Sequence, residues 1–279
     1  MNRIHYLPKI FVNTLLLASI NMLAFAQKAE NVQDKSVWTS SPIKVDGKIT
    51  EDVFQASNKS TLLSYTMSND DKNLYLVIKS TDNTNNNKIM MGGITLAINT
   101  DGKKKEKDGF LLTYPVIVRA QRQRGQGGFG QRPAGGSADS AMLAMRKQQL
   151  AAAKEIKVFG FKDIQDSLIS IYNEYDVNVA ANFDEKGAFV YELAIPLKLL
   201  GLTLESKEFA YNVKLNGLQF GGGGIRMQGG GGQGGQGGGG FGGGGQGGGF
   251  GGGGGGRGGF DPSAFLPTDF WGKYTLAKK

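Results

Sequence analysis

Two strand-like stretches decide the fold of this chain: Tyr211-Asn-Val-Lys-Leu-Asn-Gly-Leu218 and Asp269-Phe-Trp-Gly-Lys-Tyr-Thr-Leu-Ala277. Between them, the tract from Gly221 to Gly259 holds 29 glycines in 39 residues. Each stretch is too short to bury a face alone, so we expect the two strands to pair in one sheet across the tract. Closing so long a loop instead of one of about four residues costs only about 2 kcal/mol, which a stable domain can carry.

A second low-complexity tract, residues 119–136, is rich in Gly, Gln and Arg. The two tracts together contain six arginines and no acidic residue, whereas the rest of the chain beyond residue 26 has equal numbers of basic and acidic residues. We therefore expect two disordered Gly-rich loops inserted into a neutral domain of roughly 200 residues. The arginines are sparse compared with those of nucleic-acid-binding segments, so we predict no nucleic-acid partner.

The first 26 residues have the pattern of a secretory signal peptide. Arg3 and Lys9 begin it, a mostly apolar segment follows, and Ala24-Phe-Ala26 provides an A-x-A cleavage site. The apolar segment is too short and too polar for a membrane span. We predict removal of residues 1–26, a single mature domain over residues 27–279, and a periplasmic or secreted location.

The predicted mature chain lacks the residues of most nucleophilic and metal sites. The chain has no cysteine, and its single histidine, His5, lies in the signal segment. Without these residues there is no Ser-His-Asp or Cys-His site and no imidazole metal cage. Only carboxylate, Lys, Tyr or oxygen-ligand metal chemistry remains available.

The body of the chain is rich in short strand patterns separated by turn signals. Residues 62–67 and 74–78 flank a polar link that favours a hairpin, and Asp184-Glu-Lys-Gly187 supplies another turn. The sequence therefore predicts an all-β fold, an antiparallel β-sandwich of jelly-roll or Ig-like type. One inserted helix is expected over Asp139–Lys157, with Met142, Met145, Ala152 and Ile156 packing on the sandwich.

Five phrases resemble, in family order, the family 9 carbohydrate-binding module and related DOMON-like sandwiches. They are Pro42-Ile-Lys-Val-Asp-Gly-Lys-Ile-Thr-Glu-Asp-Val-Phe54, Asn69-Asp-Asp-Lys-Asn-Leu-Tyr-Leu-Val-Ile78, Ile94-Thr-Leu-Ala-Ile-Asn-Thr-Asp-Gly102, Tyr191-Glu-Leu-Ala-Ile-Pro-Leu197 and Phe270-Trp-Gly-Lys-Tyr-Thr-Leu276. The resemblance implies a secreted antiparallel sandwich that binds sugars in some relatives and haem in others. The absence of histidine from the predicted mature chain disfavours haem.

Tryptophans are the first candidates for a sugar site, because sugar CH groups stack on aromatic faces. Trp38 and Trp271 are the two tryptophans of the chain. Trp38 precedes the opening strand and Trp271 lies in the last strand, so packing is an alternative role for both. The sequence therefore offers these two residues as candidate ligand contacts.

Carboxylates provide two weaker candidate sites. Asn99, Asp101, Glu106 and Asp108 resemble an oxygen-ligand calcium loop, but four lysines in the same loop favour a solvated hairpin loop. Glu192 could serve as a catalytic carboxylate, yet no second carboxylate stands at a defined spacing, so glycoside hydrolysis is unsupported. We predict no cofactor, with calcium at Asn99, Asp101 and Asp108 as the alternative.

Together these features predict an exported, non-catalytic binding domain, not an enzyme, with a glycan or another cell-envelope ligand as its partner. The alternative is a structural or adhesive envelope protein that acts through its Gly/Gln/Phe-rich loops. Deleting Gly221–Gly259 would distinguish them, since only the alternative requires that tract for binding.

Overall fold

The computed structural model describes residues 29–49, 54–117, 138–218 and 265–279. The predicted signal segment, residues 1–26, and the two predicted loop tracts, residues 119–136 and 221–259, lie outside the described residues.

Two antiparallel sheets form the body of the molecule. Within the described residues, the five-stranded sheet has the order β1-β2-β3-β9-β8 and the six-stranded sheet the order β11-β10-β4-β5-β6-β7. In chain order, the strands are β1 (Ala56–Asn58), β2 (Leu63–Asn69), β3 (Asn73–Ser80), β4 (Ile94–Asn99), β5 (Phe110–Tyr114), β6 (Glu155–Phe159), β7 (Leu168–Ser170), β8 (Asn178–Phe183), β9 (Phe189–Pro196), β10 (Phe209–Leu215) and β11 (Thr268–Tyr274). The predicted all-β sandwich is confirmed.

Carboxylates close the two predicted hairpins. Between β2 and β3, the Asp70 side chain accepts hydrogen bonds from the backbone N–H groups of Lys72 (2.8 Å) and Asn73 (2.7 Å). Between β8 and β9, Asp184 accepts in the same way from Lys186 and Ala188. Short Asx-type turns of this kind let the chain reverse without leaving backbone donors unpaired.

Strands β10 and β11 pair along their whole length, as the sequence predicts. The register runs from Phe209 opposite Tyr274 to Leu215 opposite Thr268. Just beyond the strands, the backbone N–H of Leu218 donates to the carbonyl of Phe265 at 2.9 Å. The described residues on either side of the long glycine tract are therefore hydrogen-bonded to each other.

The core lies between the two sheets, where alternate residues of each strand meet. Its largest fully buried side chains include Tyr65 of β2 and Tyr211 of β10. Their hydroxyl groups are hydrogen-bonded to each other at 2.8 Å, and the Tyr65 ring packs on Phe270 of β11 with centroids 4.9 Å apart. Both sheets are thus joined through aromatic residues at their β2 and β10 strands.

Two α-helices connect the strands of the described residues, α1 (Asn83–Gly92) and α2 (Ala138–Ala152). Helix α1 was not predicted, because its Asn-rich sequence lacks an apolar period; it begins where the Asp82 side chain accepts from Asn85 N–H. Helix α2 ends before the predicted Lys157, since β6 begins at Glu155.

The predicted packing face of α2 is wrong. Met142 and Met145 are 49% and 52% exposed, and Ile156 is buried as part of β6. The helix instead turns Leu150 to the core and lays Leu143 against it. Because β6 begins so soon after the helix, Ile156 does not continue the helical period and cannot define its face.

Candidate functional site

A cleft lies on the outward face of the five-stranded sheet. Thr66 of β2, Val77 of β3 and Glu192 of β9 stand side by side in the strand register. Their chain neighbours point into the core, so alternation places these three on the opposite face. Residues 37–49, which we call the strap, cross this face and enclose a cavity of about 620 Å³.

Hydrogen bonds fix the strap at two places. At one end, Trp38 forms a bridge with Asn69, in which Thr39 N–H donates to the Asn69 carbonyl (2.9 Å) and Asn69 N–H donates to the Val37 carbonyl (3.0 Å). At the other end, the backbone N–H groups of Asp46 and Gly47 donate to Oε2 of Glu192 at 2.9 and 2.7 Å. The strap therefore lies between β2 and β9 as a wall of the cleft.

The lining of the cleft combines aromatic and hydroxyl groups. Trp38 and Phe54 supply aromatic side chains. Hydroxyl side chains come from both the strap and β2: Thr39, Ser40, Ser41, Thr66 and Ser68. Apolar ring surface beside several hydroxyl groups suits a ligand that presents both CH faces and hydroxyls, and the volume lies within the range of small-molecule pockets.

Two carboxylates with different environments lie in this cleft. Glu192 is 4% exposed; burial raises the pKa of its carboxyl, while the N–H groups of Gly47 and Asp46 act in the opposite direction. The hydrogen bond and charge of Lys44 lower the pKa of Asp46, whose carboxylate lies 3.0 Å from the Lys44 ammonium. Asp46 is thus the second carboxylate that the sequence did not reveal, and it forms an ion pair.

The structure does not bring the two tryptophans together. Trp38 lies in the cleft wall. Trp271 lies in β11 between Phe270 and Gly272, which face the core, so it points outward from the other sheet. A site that contains Trp38 therefore does not include Trp271.

The predicted calcium loop between β4 and β5 is organised by an amide. Asn99 accepts hydrogen bonds from the backbone N–H groups of Asp101 and Lys103 and donates to the Lys105 carbonyl. Asp101 pairs with Lys103 at 3.1 Å, and Asp108 has a φ of +63°.

Glu106 of the same loop pairs with Lys214 of β10. Among the described residues, no group of three or more His, Cys, Asp or Glu side chains could hold a metal ion. Calcium binding by Asn99, Asp101 and Asp108 stays a prediction.

Sequence reasoning missed most of the cleft. The hydroxyl residues of the strap and β2 carry no motif, and the contact of Glu192 with the Asp46–Gly47 turn joins residues 145 and 146 positions apart. A signal was nevertheless present, because the Asp-Gly turn and the Glu-x-x-Ile-Pro strand end were both among the phrases that carry the family resemblance. In the structure these two segments are in contact through the hydrogen bonds of Asp46 and Gly47 to Glu192.

No protein-family model matches the chain, and no curated protein matches it either. Two solved structures are similar to it, both of a family 9 carbohydrate-binding module from Caldicellulosiruptor kristjanssonii. The complex with cellotriose matches at 9% identity and a TM-score of 0.29, over 65% of this chain and 75% of that one. The complex with glucose matches at 9% identity and a TM-score of 0.26, over 66% and 79%.

No helix among the described residues is both long and apolar enough to cross a membrane.

Proposed function

We propose that this protein is an exported, non-catalytic binding domain that takes up a carbohydrate in the cleft beneath the strap. The observation that carries the proposal is the lining itself, in which Trp38 stands beside hydroxyl groups from two separate segments. A pyranose offers an apolar CH face and a ring of hydroxyls, and this lining offers a partner for each. Export through the segment before Gln27 is part of the proposal.

The contacts of the two cleft carboxylates support a non-catalytic role. Oε2 of Glu192 accepts two backbone hydrogen bonds, and the Asp46 carboxylate forms an ion pair with Lys44. Glycoside hydrolysis needs one carboxyl free to protonate the leaving group and a second free to act as nucleophile or base. The contacts of Glu192 and Asp46 favour binding over hydrolysis.

The test exploits the two tryptophans, which lie on different sheets. Titration calorimetry of the mature domain against soluble neutral oligosaccharides, beginning with cellotriose, should give saturable binding. Replacing the aromatic ring in Trp38→Ala should weaken binding by about tenfold or more. The matched control Trp271→Ala should bind as the unaltered protein does.

Two results would contradict the proposal. Flat titrations of the unaltered domain against all the oligosaccharides would refute carbohydrate binding, and equal weakening by both substitutions would refute the location in the cleft. Removal of Gly221–Gly259 separately distinguishes the two candidate functions, because binding that disappears with the tract would favour the adhesive alternative. We expect binding to survive that removal, because the described cleft residues lie in other parts of the chain.

A further inference from the structure

The Asp46–Gly47 turn of the strap is seated on a single buried carboxylate. Oε2 of Glu192 accepts from the N–H groups of both turn residues, at 2.9 and 2.7 Å. Gly47 and Glu192 are buried, so this donor and this acceptor are largely withdrawn from water, whereas Asp46 is exposed. A buried backbone donor that loses its acceptor lowers the stability of the folded state, so the turn depends on this contact.

The turn also fits closely against the neighbouring strand. Gly47 has a φ of +76°, a conformation that favours glycine, and a Cβ added there would lie 3.3 Å from the Cβ of Asn182 in β8. The strap is therefore held from β9 by hydrogen bonds and fitted against β8 by shape.

We propose that Glu192 is a positioning residue of the cleft: by accepting from the Asp46–Gly47 turn, it fixes the strap as the wall against which the ligand binds. This rests on the proposed function of the cleft. Glu192 acts through the backbone of the turn, and the side chains that meet the ligand are those of the strap and β2.

The charges around Glu192 are consistent with this role. Burial and, to a smaller extent, the charge of Asp46 raise the pKa of Glu192, and Lys44 pairs with Asp46. The backbone N–H of Lys48 donates to Oδ1 of Asp46 at 3.0 Å. The strands packed beside Glu192 contribute uncharged neighbours in its register, Val77 and Ala180. Glu192 therefore accepts from backbone donors, and within the described part of the chain no cationic side chain forms an ion pair with it.

Paired substitutions test hydrogen-bond acceptance directly. Glu192→Gln keeps an oxygen that can accept from both N–H groups, whereas Glu192→Ala removes the acceptor; Glu185→Ala, in the exposed β8–β9 loop, is the control. In Glu192→Ala, we expect amide hydrogen exchange at Asp46 and Gly47 to accelerate about tenfold or more, and cellotriose affinity to fall by a similar factor. In Glu192→Gln, both should stay within about threefold of the unaltered protein.

A pH profile provides a readout that a purely steric role would not give. Burial raises the pKa of Glu192 above its ordinary value of 4.5, so its contribution to stability is fully present below 4.5 and is lost as the pH rises through the raised value. The unaltered protein should therefore lose stability relative to Glu192→Gln as the pH rises above 4.5. Urea unfolding at several pH values measures the difference.

Each outcome decides the proposal. Unchanged exchange at Asp46 and Gly47 in Glu192→Ala, or equal loss in the Gln and Ala variants, would overturn it. If Glu192→Ala does not fold, Gly47→Ala displaces the turn with Glu192 intact, and unchanged affinity there would also overturn it. If the unaltered protein binds no oligosaccharide, the proposed function fails, whereas the exchange measurement still tests whether Glu192 fixes the turn.

Discussion

At the scale of single residues, a large side chain in the core is matched by a glycine on the neighbouring strand. Tyr211 of β10 lies directly opposite Gly272 of β11, and its ring occupies the space where a side chain at Gly272 would be. The absence of a Cβ at Gly272 leaves room for this ring beside the neighbouring strand, where its hydroxyl reaches Tyr65 of the other sheet. Glycine here serves close packing, although an interior glycine normally weakens a strand.

We expect Gly272→Ala to destabilise the protein by about 1–3 kcal/mol, because the added methyl group overlaps the Tyr211 ring and overpacks the core. Urea unfolding measures the change. Lys273→Ala, at the neighbouring exposed position, should alter stability by less than about 1 kcal/mol. Equal stability of Gly272→Ala and the unaltered protein would contradict this account of the strand pair.

The sequence identifies residue types at this scale better than it identifies contacts. Trp38 and Glu192 were both singled out, yet only the structure places them in one cleft, because strand register and sheet order bring distant positions together. The hydroxyl groups of Ser40, Ser41 and Ser68 gave no signal, since serine is common on any protein surface. The sequence could therefore predict which residue types are suited to a site, but not which of them lie close together in the structure.

At the scale of elements, most strands and the inserted helix α2 were predictable from the sequence, whereas helix α1 was not. Turn residues such as Asp70 and Asp184 mark hairpins through local hydrogen bonds, which depend on a few adjacent positions. Helix α1 has no such marker apart from Asp82, and its Asn residues are poor helix formers. Tertiary contacts compensate, since Asn85 of α1 donates to the Thr61 carbonyl.

Helix α2 offers a test of which face packs. Leu150 is 4% exposed and belongs to the core cluster, so Leu150→Ala should lower the free energy of unfolding by about 2–5 kcal/mol. Met145 projects from the opposite face, and Met145→Ala should change it by no more than about 0.5 kcal/mol. Urea unfolding of both variants compares the faces directly. A larger loss for Met145→Ala would show that the helix packs on its methionine face.

At the scale of the whole molecule, the sandwich is assembled from segments far apart in sequence. The last strand, β11, pairs with β10 and also contacts the amino-terminal part of the described chain, where the Tyr274 hydroxyl meets Val37. Asn69 of β2 holds the residues beyond β11 through two hydrogen bonds with Ala277. The pairing of β10 with β11 was predictable because neither short strand can bury a face alone. The side-chain hydrogen bonds of Asn69 and Tyr274 were not predictable from the sequence.

Shortening the glycine tract should leave this assembly intact. Replacing Gly221–Gly259 by a linker of about four residues should raise the free energy of unfolding by up to about 2 kcal/mol, because a shorter loop is easier to close. Denaturant unfolding measures the gain, and a tract of the same length with its residues reordered should show none. A shortened protein that fails to fold would show that the tract contributes contacts to the body.

The hydrogen bond between Leu218 and Phe265 holds the residues on either side of the glycine tract together, so the association of β11 with the body does not depend on the covalent link through the tract. After Phe265, β11 is held by its hydrogen bonds with β10 and by the packing of Phe270 on Tyr65. The hydrogen bond from Ala277 N–H to the Asn69 side chain holds the residues that follow β11. A cut anywhere between Gly221 and Gly259 would therefore leave a two-piece protein whose short carboxyl-terminal fragment stays bound. The long tract is a natural place to divide this protein into a large and a small complementing fragment, or to insert a second domain.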